Sequence, residues 1–263
     1  MRNFLVPKSE IQNYQRKTMD YAKCGLFLKR LMIRRIFALC TLMAFNQLTN
    51  AQDWANLSYY RKANTLLENP AGNEDRVVFM GNSITEFWKN VHPDFFIGKT
   101  YVNRGIGGQT TSQMLLRFRA DVVNLHPKVV VFLGGTNDIA GNTGNVSLDM
   151  IEDNIFSMIE LAKSNEISVV LCSVLPVFDY PWSPGKEPAE KIIALNEALR
   201  FYAETHDVTF VDFHSSMKDE RNGLRIELGE DGVHPNVAGY LVMEPLIEAA
   251  IATELQKIKN KQN

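Results

Sequence analysis

Val129-Val130-Val131-Phe132-Leu133-Gly134-Gly135-Thr136-Asn137-Asp138 is an unbroken apolar run that ends in a glycine pair and a polar turn. A run this short, rich in β-branched residues and closed by glycines, reads as a strand. With no polar residue at alternate positions, both of its faces must be covered. The same pattern repeats outward from it. Strands are expected at Arg76–Gly81, Thr100–Asn103, Lys128–Leu133, Ser168–Ser173 and Val208–Val211. Between them, stretches of helical period run over Thr111–Leu125, Leu148–Ser164, Ala189–Thr205 and Val237–Lys257. The alternation predicts one three-layer α/β/α domain around a mostly parallel five-stranded sheet. Residues 52–70 are expected to add a helical segment outside the sheet.

The N-terminus is read separately. Arg34 and Arg35 precede Ile36-Phe37-Ala38-Leu39-Cys40-Thr41-Leu42-Met43-Ala44-Phe45, which is followed by the small-residue pattern Thr49-Asn50-Ala51. An apolar run this short does not span a bilayer and reads as a secretory signal cleaved near Ala51. The alternative is a buried helix. The expected organisation is therefore residues 1–51 as an N-terminal extension plus signal, with Met32 the more normal start, and residues 52–263 as a single domain. An alternative for residues 1–31 is the cytoplasmic tail of an anchored protein. Leu39 before Cys40 is bulkier than a lipidation site wants. The mature chain is thus expected to be secreted or periplasmic with no stable membrane anchor after cleavage. Without residues 1–51 the chain keeps 19 Lys+Arg against 28 Asp+Glu, a net charge near −9, which makes nucleic acid and anionic membranes poor partners. Cys172 alone of the cysteines remains, a small core residue on an apolar strand.

Three polar islands are expected just beyond strand ends: Gly81-Asn82-Ser83, Gly105-Ile106-Gly107-Gly108 and Gly135-Thr136-Asn137-Asp138. In open parallel sheets ligands gather beyond the carboxyl ends of the strands, so all three fall on one edge. A fourth island, Asp231-Gly232-Val233-His234, puts an acid three residues before an imidazole. That spacing lets the acid orient the ring while its other nitrogen takes a proton from a distant hydroxyl, which Ser83 would supply. Of five histidines, His92, His126 and His206 lack such an acid, and His214 beside Asp212 is the weaker alternative. Each island also has a plainer reading: a structural histidine, an Asp-Gly turn, a tight glycine loop, a helix cap. Rival motifs fail. Thr110 stands where a dinucleotide fingerprint wants its third glycine, and Thr85 where a nucleophile elbow wants its second. No pair of histidines lies at helical spacing for a metal.

Taken in order and spacing, the four islands resemble the SGNH hydrolases, also called the GDSL-like esterase and acylhydrolase family, over Arg76 to His234. Asn82 departs from that pattern, standing where many members carry Asp, which bears on the positioning of the turn. The resemblance implies a flavodoxin-like fold, Ser83 as nucleophile with Asp231 and His234, and an oxyanion pocket made by the Ser83 and Gly108 amides and the Asn137 side chain. It implies a carboxylic ester hydrolase that needs no metal or organic cofactor. A small-molecule or glycan ester is the expected substrate. Export, together with a long aromatic loop at Pro176–Pro188, favours short O-acetyl groups on a carbohydrate; Tyr180 and Trp182 could stack on a sugar and Lys186 bind a carboxylate. The loop could equally be a rigid surface element with its aromatics folded inward. Alternatives for the whole are a lipase, lysophospholipase or thioesterase, or a non-catalytic carbohydrate-binding protein.

Overall fold

The computed structural model describes residues 53–262 together with Met32. The chain divides into two units, Met1–Trp54 and Ala55–Asn263, and the expected signal at residues 34–51 lies outside the described residues. The second unit runs α1 (Arg61–Leu66), β1 (Val77–Gly81), α2 (Ser83–Val91), β2 (Tyr101–Gly105), α3 (Thr111–Asp121), β3 (Val129–Leu133), α4 (Thr136–Ala140) and α5 (Leu148–Lys163). It continues with β4 (Ser168–Cys172), α6 (Pro188–Thr205), β5 (Thr209–Val211), α7 (Phe213–Met217) and α8 (Val237–Gln262). Among the described residues no helix is long and apolar enough to cross a membrane.

The strands form one sheet in the order β2-β1-β3-β4-β5, and every neighbouring pair is parallel. Because successive side chains point to opposite faces, β1 and β3 feed two cores. Val78, Met80, Val130 and Phe132 pack with Met114 and Phe118 of α3, Ile151 and Ile155 of α5, and Leu195 of α6. Val77, Phe79, Val129 and Val131 pack on the other side with Ile84 and Trp88 of α2 and Tyr240, Met243 and Ile247 of α8. Trp88 lies nearly parallel to Phe95 and Tyr240, with ring centroids 4.9 and 5.0 Å away. Such aromatic pairs contribute roughly 0.5–1.5 kcal/mol each beyond the area they bury. Cys172 is buried in this second core, and burial pushes its thiol well above the ordinary range, which keeps it inert.

This strand order is the flavodoxin-like one, and its topological switch point falls between β1 and β3, where the chain leaves toward opposite faces. The five expected strands are present within two residues at either end. Helix α2 differs from expectation, since Ser83 begins a helix rather than sitting in a turn. Asn82 caps it by accepting the Ile84 N–H at 3.0 Å, and Ile84, Trp88 and Val91 recur at helical spacing toward the core. The expected helix over Thr111–Leu125 ends at Asp121, after which Val123–Leu125 form a 3₁₀ turn.

Candidate active site

Ser83 occupies the first turn of α2, where backbone N–H groups have no intrahelical acceptor and the helix dipole presents its positive end. Glycine at 105 brings the end of β2 against this turn: a Cβ there would lie 2.2 Å from the Glu86 nitrogen. Asn82, buried, supplies the cap with a neutral amide, so the cap itself buries no charge.

The Ser83 Oγ lies 2.9 Å from His234 Nε2, and His234 Nδ1 lies 2.6 Å from Asp231 Oδ2. Asp231 Oδ1 also accepts the backbone N–H groups of Val233 at 2.9 Å and His234 at 2.7 Å. Partial burial pushes the Asp231 carboxyl up. The bonds from the His234 amide, the His234 ring and the Val233 amide outweigh it and hold the carboxyl below the usual carboxylate range. The histidine loop is fixed to the serine helix one turn further on, where Tyr240 donates its hydroxyl to the Ile84 carbonyl at 2.7 Å. His214 has a different place: it is buried in α7, its amide bonded to Ser173 Oγ.

The second island lies against the serine, and the third is bonded to the second. A Cβ on Gly107 would come within 3.8 Å of the Ser83 Cβ. Gly108 has φ +75° with nothing nearer than 3.9 Å to its ideal Cβ, so glycine is demanded there by backbone conformation rather than by crowding within the protein. Among the described residues no acceptor lies on the Ser83 or Gly108 N–H. Asn137, in the first turn of α4, donates one amide hydrogen to the Gln109 carbonyl at 2.9 Å and keeps a second to offer. Below them Arg117, fully buried, donates to the Gly81 carbonyl at 3.0 Å, the Arg104 carbonyl at 2.8 Å and Gln109 Oε1 at 2.5 Å, and pairs with Asp121. One side chain thus ties the ends of β1 and β2 to the loop that carries Gly108.

Asp138 is buried next to this loop and receives the Thr111 N–H at 3.0 Å on both oxygens and the Thr111 hydroxyl at 2.6 Å. Burial raises its pKa from 3.8 to about 6, against the lowering effect of the Thr111 bonds. The folded protein therefore holds this proton more tightly than the unfolded chain does. The group's contribution to stability is complete below about pH 3.8 and is lost as pH rises through about 6. Urea melts of the wild type and of Asp138→Asn should show the stability difference, wild type minus variant, falling by about 2 kcal/mol between roughly pH 4 and 6.5. A difference that stays constant over that window contradicts the assignment.

The aromatic loop divides by burial. Trp182 is 46% exposed, with its ring centroid 6.1 Å from that of His234, and Phe87 of α2, also exposed, lies 5.5 Å from the same imidazole. Tyr180 has no face to offer a sugar, because it is fully buried with its hydroxyl bonded to Thr136. This corrects the sugar-stacking role expected for it: the ring instead plugs the base of the loop. Lys186 reaches back to Asn145 Oδ1 at 3.4 Å. The loop is pinned by Asp179, which accepts the Tyr180 and Gly185 amides, and by Ser183, which donates to the Ala140 carbonyl. Phe87, Glu86, Gln109, Arg117 and Asn142 escaped the sequence reading. For Arg117 a signal existed: an arginine on the apolar stripe Met114-x-x-Arg117-Phe118, four residues before an acid, is the pattern of a buried ion pair.

A hydroxyl, an imidazole and a carboxylate in line at the switch point of a parallel sheet, with amide donors beside the hydroxyl, are the arrangement of a serine-type acyl hydrolase. Residues 79–242 match the model of the GDSL-like Lipase/Acylhydrolase family, and the chain belongs to it. The crystal structure of a GDSL-like lipase from Bacteroides thetaiotaomicron is 47% identical, with a TM-score of 0.74 over 76% of this chain and 98% of that one. The isoamyl acetate-hydrolyzing esterase of Saccharomyces cerevisiae is 25% identical over 68% of this chain and 87% of its own length. An acetylxylan esterase of Geobacillus stearothermophilus is 24% identical over 58% and 71% respectively.

Proposed function

We propose that this esterase works through Ser83, His234 and Asp231 and removes short acyl groups, O-acetyl in particular, from a carbohydrate. The observation that carries the mechanism is the unbroken chain from Ser83 Oγ through the His234 ring to Asp231 Oδ2. Ser83 Oγ attacks the ester carbonyl as its proton passes to His234 Nε2, and Asp231 stabilises the imidazolium. The negative charge developing on the carbonyl oxygen is received by the Ser83 and Gly108 N–H groups and the second amide hydrogen of Asn137. His234 returns the proton to the departing alcohol. Water, deprotonated by the same ring, then releases the acid from Ser83.

Two features support a small acyl group and a sugar-like alcohol. Phe87 and Trp182 both lie close to the imidazole, with ring centroids 5.5 and 6.1 Å from it, and Trp182 presents the exposed ring on which a pyranose can stack. Two curated relatives bear the names of acetate-ester hydrolases. The basic and apolar pattern of residues 34–51 supports action outside the cytoplasm, where acetylated glycans are met.

The test is an acyl-chain series beside natural polymers. Acetate release from acetylated xylooligosaccharides is expected, and kcat/KM on nitrophenyl esters should fall at least about tenfold from acetate to octanoate, the order of one or two methylenes' discrimination at a closed pocket. Preference for octanoate or for a lysophospholipid removes the carbohydrate reading and leaves a lipase.

A further inference from the structure

The Gly108 N–H belongs to a peptide with glycine on both sides, and Gly107 and Gly108 are both exposed in the crevice. Two glycines in succession leave such a peptide the freest rotation a backbone has. A donor is useful to a developing oxyanion only if its direction is set before the charge appears. Something other than local chain stiffness must therefore hold it.

The two atoms that bracket this peptide are both anchored from outside the loop. On one side the Gly107 N–H donates to Glu86 Oε2 at 2.7 Å, and the other oxygen of Glu86 accepts the hydroxyl of Tyr59. On the other side the Gly108 carbonyl accepts from Asn142 Nδ2 at 3.0 Å, while Asn142 Oδ1 accepts the indole N–H of Trp182 at 3.1 Å. Asn142 is itself fixed by its backbone N–H, which donates to the Asn137 carbonyl at 3.0 Å. The two clamps are chemically distinct, one a carboxylate accepting and the other an amide donating, and each is completed by an aromatic side chain.

We propose that Glu86 and Asn142 are positioning residues which hold the Gly108 N–H aimed at the reacting carbonyl, and that Trp182 sets the second clamp through its indole N–H. The inference rests on the reading of Gly108 as an oxyanion donor. Neither residue touches the reacting atoms. Each acts through the glycine peptide, so its loss should appear in the chemical step and not in substrate affinity.

Asn142→Asp keeps the size of the side chain and an acceptor for Trp182 while removing the donor to the Gly108 carbonyl, and Asn142→Leu removes the same donor without adding a negative charge; a loss shared by both belongs to the clamp, and a loss in Asn142→Asp alone belongs to its charge and overturns the proposal. On nitrophenyl acetate, kcat should fall about 10- to 100-fold with KM changed less than about threefold, since a donor displaced but not deleted costs less than its removal. Affinity for a small alkylboronic acid, which adds to the serine oxygen as a tetrahedral anion, should weaken in parallel. Glu86→Ala should behave likewise, and Glu86→Gln, which keeps an acceptor for the Gly107 N–H, should recover most of the rate. Trp182→Phe, which keeps the ring and removes its N–H, should lower kcat about 3- to 10-fold. Wild-type kcat and boronate affinity in Asn142→Asp overturn the proposal. If that variant gives no cooperative melt, unchanged kcat in both Glu86→Ala and Trp182→Phe overturns it. Ser83→Ala separates this failure from a deeper one. If that variant is inactive while Asn142→Asp is normal, only the clamp is refuted; if it remains active, the reading beneath is refuted as well.

Discussion

Ser83→Ala is expected to lower kcat/KM on nitrophenyl acetate by about 10⁴- to 10⁶-fold, the scale at which removal of a nucleophile stops covalent catalysis and leaves what binding and the oxyanion donors supply. The side chain being deleted is small and sits at the first turn of α2, where its main visible partner is His234 Nε2. The cap of that helix comes from Asn82, so the variant should melt within a few degrees of the wild type and the loss will not be one of folding. The backbone N–H at position 83 survives the substitution. Binding of acetylated oligosaccharides, measured by calorimetry, should therefore persist. Equal rates for variant and wild type would leave the serine without a chemical part, and no turnover in either would leave a carbohydrate-binding protein.

Asp231→Asn should cost about 10³- to 10⁴-fold in kcat, and the geometry makes a sharper claim than the size. Asp231 Oδ1 accepts two backbone N–H groups, from Val233 and His234. An asparagine here must keep its carbonyl oxygen on those amides, which aims its NH₂ group at His234 Nδ1. The ring would then carry its proton on Nε2 and present an N–H to Ser83, the tautomer that cannot accept a proton. Asp231→Ala leaves the ring free to choose, so it should be at least as active as Asp231→Asn despite removing more. Steady-state kinetics of the two variants decides the matter, and an asparagine variant clearly faster than the alanine one contradicts the tautomer argument.

The strands were readable because each is a short apolar run with both faces covered, and a chain that buries Val129 to Leu133 completely has little freedom in what it writes there. The four polar islands were readable for a related reason: glycines and polar side chains interrupting apolar strands at one edge have few structural uses. Helix α2 was missed because the strand and helix share almost no linker, with Gly81 in one and Ser83 in the other, so the change of period hides inside a few residues. Tyr180 and Trp182, two residues apart, illustrate what composition withholds. One is plugged into the core and the other stands beside the imidazole, and only the turn set by Asp179 separates these fates. Glu86 and Asn142 were invisible because their partners are backbone atoms of a distant loop, which leave no mark on spacing.

The hydroxyl of this enzyme lies in the first helix after the first strand, whereas its imidazole arrives just before the last helix, which also completes the second core and is bonded through Tyr240 to the Ile84 carbonyl. During synthesis the serine thus emerges from the ribosome long before anything can deprotonate it. On the proposed roles of Ser83 and His234, a polypeptide truncated before His234 is expected to be inactive, with reactivity arising only when the final segment docks.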